Sequence, residues 1–132
     1  MRTVILYFSH TGNNRLLAET LAARLGCPAV AVTEPRKRTT LRILLDLAFR
    51  RFPRIAPLAL PDHDRLLVIA PIWNRWIAHP MRSALRRLGE GIGAYAFVSF
   101  SGGDRPGQVD FVDAQLLKLT GRAAEKHWAL YV

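Results

Sequence analysis

Short apolar runs alternate with helical patterns along this chain of 132 residues, and this alternation limits the folds it can adopt. The strand-like runs are Thr3 to Phe8, Ala29 to Val32, Leu66 to Ala70, Ala94 to Phe100 and Trp128 to Val132. The helical patterns are Asn14 to Leu25, Thr40 to Phe52, the segment after Pro80 with Met81, Ala84, Leu85 and Leu88 on its inner side, and Val109 to Leu119. Strands that alternate with helices predict an α/β fold with a parallel sheet covered on both faces.

The strand run Leu66 to Ala70 is entirely apolar, as expected for a central parallel strand buried on both sides. Five strands joined by right-handed crossovers fit the strand order 2-1-3-4-5. In such sheets, ligands bind beyond the carboxyl ends of the strands, beside strand one. The length of the chain predicts a single domain over 1–132.

A polar loop, Ser9-His10-Thr11-Gly12-Asn13-Asn14, lies between the first strand and the first helix. It offers hydroxyls, side-chain amides and backbone N–H groups at a helix N-terminus, which carries partial positive charge. This arrangement is suited to a phosphate group. An ordinary strand-to-helix turn with Thr or Asn as the N-cap is the alternative for these residues.

Three segments in order resemble those of the flavodoxin family. The segment from Ser9 to Asn14 resembles the family's phosphate loop, which reads Ser/Thr-x-Thr-Gly-Asn-Thr. Val68 to Trp73 looks like its third strand and first flavin loop, and Phe97 to Asp104 looks like its fourth strand and second flavin loop. The resemblance covers essentially the whole chain and is strongest to short flavodoxin-like proteins of bacteria. It implies a flavodoxin-like three-layer sandwich.

The resemblance also implies that FMN is the cofactor. The implied phosphate-loop residues are Ser9, His10, Thr11, Gly12, Asn13 and Asn14, with His10 at the family's variable position. The implied flavin-ring residues are Pro71, Ile72, Trp73, Asn74 and Arg75 in one loop, and Ser101, Gly102, Gly103 and Asp104 in the other. Of these, Trp73 is placed to stack on the ring, and the loop after Phe100 would supply backbone groups to the pyrimidine edge.

The first flavin loop departs from the family pattern, because the run from Trp73 to Trp76 contains no glycine. The family uses a small residue there to bring the backbone close to flavin N5. Two functions therefore stay open. One is an FMN protein that carries electrons or reduces a small acceptor. The other is a flavodoxin fold that has lost FMN and serves as a basic interaction module.

The chain carries a formal net charge of +9, whereas flavodoxins are typically acidic. Seven basic residues fall between Pro35 and Pro57, with Asp46 as their acidic counterpart: Arg36, Lys37, Arg38, Arg42, Arg50, Arg51 and Arg54. We expect this segment to meet an acidic redox partner protein or an anionic surface, rather than nucleic acid. A solvated helix face is the alternative interpretation.

Other functions find little support in the sequence. One cysteine, Cys27, excludes a disulfide within the chain, and no Gly-x-Ser-x-Gly motif indicates a hydrolase. The four histidines lack metal-ligand spacing. No signal peptide or membrane-length apolar run is visible, so we expect a soluble cytoplasmic protein with no transmembrane segment.

Overall fold

A computed structural model describes residues 2–10, 12–34, 41, 44, 55–103 and 105–131. The strands are β1 (Thr3–Tyr7), β2 (Ala29–Ala31), β3 (Arg65–Trp73), β4 (Trp76–Ile77), β5 (Tyr95–Ser101) and β6 (His127–Tyr131). The helices are α1 (Asn13–Leu25), α2 (His79–Leu88) and α3 (Gln108–Thr120), with a 3₁₀ turn at Gly89–Ile92. Most of the helix predicted over Thr40 to Phe52 lies outside the described residues. Its described members, Leu41 and Leu44, are helical and exposed.

Five strands pair in parallel in the order β2-β1-β3-β5-β6, which confirms the predicted order 2-1-3-4-5. The predicted strand and helix bounds agree with the described elements to within a few residues. The largest difference is at β3, which continues to Trp73 and pairs with the short antiparallel β4. The residues from Pro71 to Arg75 were predicted to lie in a loop. The segment is instead a tight hairpin whose register places Trp73 opposite Trp76.

Alternate residues of each strand feed two cores, one on each face of the sheet. The larger core joins β1, β3 and β5 to the inner faces of α2 and α3, with Leu6, Val68, Phe97, Met81 and Leu116 among its fully buried members. The smaller core lies under α1, where Ala18 packs against the opposite side of the same strands. The parallel sheet is therefore the middle of three layers, which confirms the flavodoxin-like sandwich.

Tyr95, at the start of β5, is fully buried and ties the sheet to the C-terminal end of α3. Its hydroxyl donates to the carbonyl oxygen of Arg122 at 2.7 Å and lies 3.3 Å from Thr120 Oγ1. Burial raises the pKa of Tyr95 above its ordinary value of 10.0, and the Asp113 carboxylate adds to this, while the hydrogen bond with Thr120 opposes it. The folded state therefore holds the phenolic proton more tightly than the unfolded chain does.

We predict that the Tyr95→Phe variant loses less folding stability at alkaline pH than the wild type does. A raised folded-state pKa contributes stability that is fully present below about pH 10 and is lost as the pH rises through the folded pKa. The variant should be less stable by about 1 kcal/mol at neutral pH, because a buried hydrogen bond is lost. Urea unfolding measured at rising pH should show a shallower loss above about pH 10.

Tyr131→Phe is the matched control, since Tyr131 is 44% exposed. It should keep the full alkaline loss of the wild type. Equal pH profiles for Tyr95→Phe and the wild type would contradict the assignment.

Candidate functional site

Parallel pairing brings the ends of β1, β3 and β5 to one edge of the sheet. The Phe8 N–H, just beyond β1, donates to the Ile69 carbonyl of β3 at 3.0 Å. Pro71 of β3 stands opposite Phe100 of β5 in the register. The three loops singled out in the sequence therefore leave the sheet side by side, as predicted.

The loop after β1 turns into α1 through Gly12, which has a φ of +101°. Its N–H donates to Ser9 Oγ at 2.9 Å, which closes the turn. Among the described residues, no side chain caps the first turn of α1 by a hydrogen bond, and that turn contains no acidic residue. The first N–H groups of a helix have no partner within the helix, so this end is electropositive and suited to an anion. Thr11, the central hydroxyl of the predicted phosphate loop, lies outside the described residues.

Asn14 in the first turn of α1 is only 3% exposed. Its Nδ2 donates to the Phe8 carbonyl at 3.3 Å, while Oδ1 has no hydrogen-bond partner among the described residues. Reversing the amide would set Oδ1 against the carbonyl oxygen, so the orientation is fixed. Asn14 was predicted to donate to a phosphate. Its amide uses one of its two N–H groups for the Phe8 carbonyl, so one donor is left for a ligand. Asn14 also offers the Oδ1 acceptor at this site, which suits a hydroxyl group.

A cavity of about 70 Å³ opens between these loops. Its lining residues are Ser9, His10, Asn13, Asn14, Pro71, Trp73 and Phe100. The indole of Trp73 meets the rings of Phe8 at 5.8 Å and His10 at 5.7 Å, both edge to face. His10, predicted as a member of the phosphate loop at the family's variable position, is thus part of the cavity wall and contacts Trp73.

Ile72, Asn74 and Arg75 belong to the predicted site but are not among the residues that line this cavity. Ile72 is buried in the larger core. Asn74 and Arg75 form the two-residue turn of the β3–β4 hairpin, with φ of 48° and 71°. Positive φ at both central residues defines a type I′ turn, which Asn accepts readily and Arg does not.

The loop after β5 begins next to the cavity, because Phe100 near the end of β5 lines it. Ser101 Oγ donates to the Gly103 carbonyl at 3.2 Å and accepts from Gln108 Nε2 at 3.1 Å. Gly102 is exposed, and Asp104 lies outside the described residues. The loop is therefore held to the start of α3 by Gln108, a residue that sequence reasoning missed.

A second polar arrangement lies deeper, between β5, β6 and α3. His127 Nε2 is 2.7 Å from Ser99 Oγ, and His127 Nδ1 is 2.9 Å from Asp113 Oδ1. The connectivity is that of a hydrolase triad, but Ser99 is 3% exposed and lies in the middle of β5, so a substrate does not reach its hydroxyl. These contacts join α3 to the two strands. Sequence spacing could not reveal them, because the three residues come from three elements.

Within the part of the chain that the structure describes, no group of three or more acidic, Cys and His side chains is arranged to hold a metal ion. In the same residues, no helix has the length and apolar character needed to cross a membrane.

The geometry and topology together define a flavodoxin-like fold, and solved structures share it. A flavoprotein of Lactobacillus acidophilus in complex with FMN has a TM-score of 0.77 at 18% identity, over 97% of this chain and 92% of that one. A Bacteroides eggerthii protein assigned to the flavoproteins has a TM-score of 0.80 at 17% identity, over 98% and 87%. A Fusobacterium nucleatum flavodoxin bound to FMN has a TM-score of 0.54 at 12% identity, over 96% and 69%. No protein-family model and no curated protein sequence matches the chain.

We predict that Gly12→Ala destabilises the protein through the backbone alone. A Cβ at Gly12 would meet no atom of the described residues within 4 Å, so the cost is that of holding an L-residue at φ +101°. This cost is roughly 1–2 kcal/mol. Thermal or urea unfolding measures it directly.

Gly91→Ala is the control, because a Cβ there also meets nothing within 4 Å and no positive φ is involved. It should leave stability nearly unchanged. If both variants lose the same stability, the left-handed turn at Gly12 is not what shapes the loop.

Proposed function

We propose that this protein binds FMN and acts in electron transfer or in the flavin-dependent reduction of a small acceptor. The observation that carries the proposal is the buried Asn14 acceptor beside the uncapped N-terminus of α1, in a cavity at the carboxyl edge of the sheet. A ligand that carries an anionic group next to a hydroxyl would satisfy both the helix N-terminus and the Asn14 acceptor. The phosphate and ribityl chain of FMN have this chemistry.

The phosphate end of FMN fits the first loop. Backbone N–H groups of the first turn of α1, with Ser9, Asn13 and the sequence-predicted Thr11, would hold the phosphate. Asn14 Oδ1 would accept a hydrogen bond from a ribityl hydroxyl, which removes its unsatisfied state. Gly12 lets the backbone approach closely.

The flavin ring would lie beyond the cavity, because about 70 Å³ is far below the roughly 300–1,000 Å³ of a pocket that encloses a whole ligand. Trp73 lines the cavity and would supply an aromatic surface for the ring. The loop Ser101 to Gly103, fixed by Gln108, would offer backbone groups to the ring edge. Bound FMN supplies the redox chemistry, and these residues bind and orient it.

The solved neighbours support this proposal. The Lactobacillus acidophilus flavoprotein and the Fusobacterium nucleatum flavodoxin, which share the fold, both hold FMN. The proposed site of this chain lies at the switch point of the sheet, where this architecture places its ligands.

We expect the purified protein to bind FMN more tightly than riboflavin or FAD. The loop is suited to a terminal monophosphate, which riboflavin lacks and FAD does not expose. Quenching of flavin fluorescence during titration measures the three affinities. Equal or tighter binding of FAD would contradict the phosphate assignment, and no binding of any flavin would favour a basic interaction module.

The Thr11→Ala variant distinguishes the contribution of the phosphate loop to flavin binding from that of the ring site. Hydrogen bonds to charged groups contribute roughly 1.5–3 kcal/mol, so FMN affinity should fall by about tenfold or more. Riboflavin should bind the variant and the wild type alike. An unchanged FMN affinity would mean that Thr11 does not contact the phosphate.

We also propose an acidic redox partner, because the chain carries a net charge of +9 with a local excess between Pro35 and Pro57. The basic side chains there lie outside the described residues, so this proposal rests on the sequence. Long-range attraction between opposite charges speeds association and weakens as salt rises.

Reversing Arg36, Lys37 and Arg38 to Glu should slow association with an acidic redox protein and flatten its salt dependence, while FMN affinity stays unchanged. The control reverses three exposed residues elsewhere, Arg24, Arg105 and Lys118, for the same change in net charge. Stopped-flow kinetics at several salt concentrations distinguish the two variants. Equal slowing by both would assign the effect to net charge rather than to the segment.

A further inference from the structure

The β3–β4 hairpin has an unfavourable turn that needs support from outside. Asn74 and Arg75 both adopt positive φ, and neither is glycine. The antiparallel pairing behind the turn is only two residue pairs long, Ile72 with Ile77 and Trp73 with Trp76. Such a short ribbon is marginal by itself.

The support comes from Gln115, a buried residue of α3. Its Oε1 accepts from the Ile77 N–H at 3.0 Å, and its Nε2 donates to the Arg75 carbonyl at 2.9 Å. One side-chain amide thus satisfies a donor and an acceptor of the hairpin backbone, as a further strand would. Nε2 also lies 3.4 Å from the Phe111 carbonyl of its own helix, a longer contact.

A second contact of α3 secures the far side of the hairpin. Phe111, one turn before Gln115, meets the ring of Trp76 edge to face at 5.0 Å. Trp76 pairs with Trp73, and Trp73 lines the cavity. The contacts of α3 with the hairpin therefore help to fix the position of Trp73 in the cavity wall. Gln115 itself is not among the cavity-lining residues.

We propose that Gln115 is a positioning residue for the flavin ring, acting through the hairpin that presents Trp73. This inference rests on the proposed FMN function. In this inference, Gln115 holds the backbone of the turn in a left-handed conformation beside the ring. A glycine in the turn would adopt that conformation without such support.

The test compares Gln115→Met with the wild type. Met has a similar length but neither hydrogen-bonding group, so the Ile77 N–H and the Arg75 carbonyl lose their partner. We expect FMN and riboflavin affinities to fall together by about tenfold, because the ring site is affected and the phosphate loop is not. In the ligand-free protein, amide hydrogen exchange at Ile77 should become faster.

Leu116→Ala is the matched control. Leu116 is the next residue of α3 and is fully buried, so this variant loses stability without touching the hairpin backbone. Its flavin affinities should stay within about twofold of the wild type. If Leu116→Ala weakens flavin binding as much as Gln115→Met does, a general loss of stability explains both and the inference fails.

Gln115→Glu adds a pH readout that a purely structural role would not produce. The ionised carboxylate keeps the acceptor for Ile77 but loses the donor to Arg75, whereas the neutral carboxylic acid restores both. Burial favours the neutral form, so riboflavin affinity should recover on acidification between about pH 8 and pH 5. Riboflavin is the probe because it has no titrating phosphate, and the wild type corrects for other titrating groups.

Besides an equal loss in Leu116→Ala, three results would overturn the inference: unchanged affinities in Gln115→Met, a loss confined to FMN, or no pH-dependent recovery in Gln115→Glu. A wild type that binds no flavin overturns the proposed function and this inference with it. The exchange rate at Ile77 then still shows whether Gln115 holds the hairpin, so the two failures are distinguishable.

Discussion

The parallel register of β1, β3 and β5 is the constraint on which the rest of the structure depends. Parallel strands place all their carboxyl ends at one edge, and each crossover returns the chain to the other. The apolar residues of these strands are buried on both faces, so a shift in register would displace two cores at once. The Ser9–Asn14 loop, the β3–β4 hairpin and the loop after β5 therefore meet because the cores fix the strands.

Helix α3 organises what the register brings together. Gln108 holds the loop after β5, Gln115 holds the hairpin after β3, and Asp113 reaches Ser99 of β5 through His127 of β6. Each of these side chains satisfies polar groups that would otherwise be costly to bury. The same helix contributes Leu116 to the larger core, so packing and site geometry are linked in one element.

Local patterns predicted most of the fold, because the elements here follow local rules. Apolar runs marked the strands, and the helix of the Val109 to Leu119 pattern was found within one residue at each end. The type I′ turn was missed because its usual glycine is absent. Gln115 was missed because its partners lie 38 and 40 residues away, and no local pattern connects them. The hydrogen bond from Asn14 to the Phe8 carbonyl was missed as well, because it depends on the tertiary position of α1.

The turn at Asn74 and Arg75 changes the meaning of the missing glycine. In the sequence, the absence of glycine from this loop argued against a close approach of its backbone to the flavin. In the structure, both residues adopt the positive φ that glycine would have supplied, and the side chain of Gln115 binds the backbone that this conformation exposes. A flexible glycine loop and a rigid hairpin with an external support are two solutions to the same steric problem. In the second solution, the hydrogen bonds between Gln115 of α3 and the hairpin offset the cost of positive φ at two residues that are not glycine. The absence of glycine is therefore not by itself an argument against a flavin at this edge of the sheet.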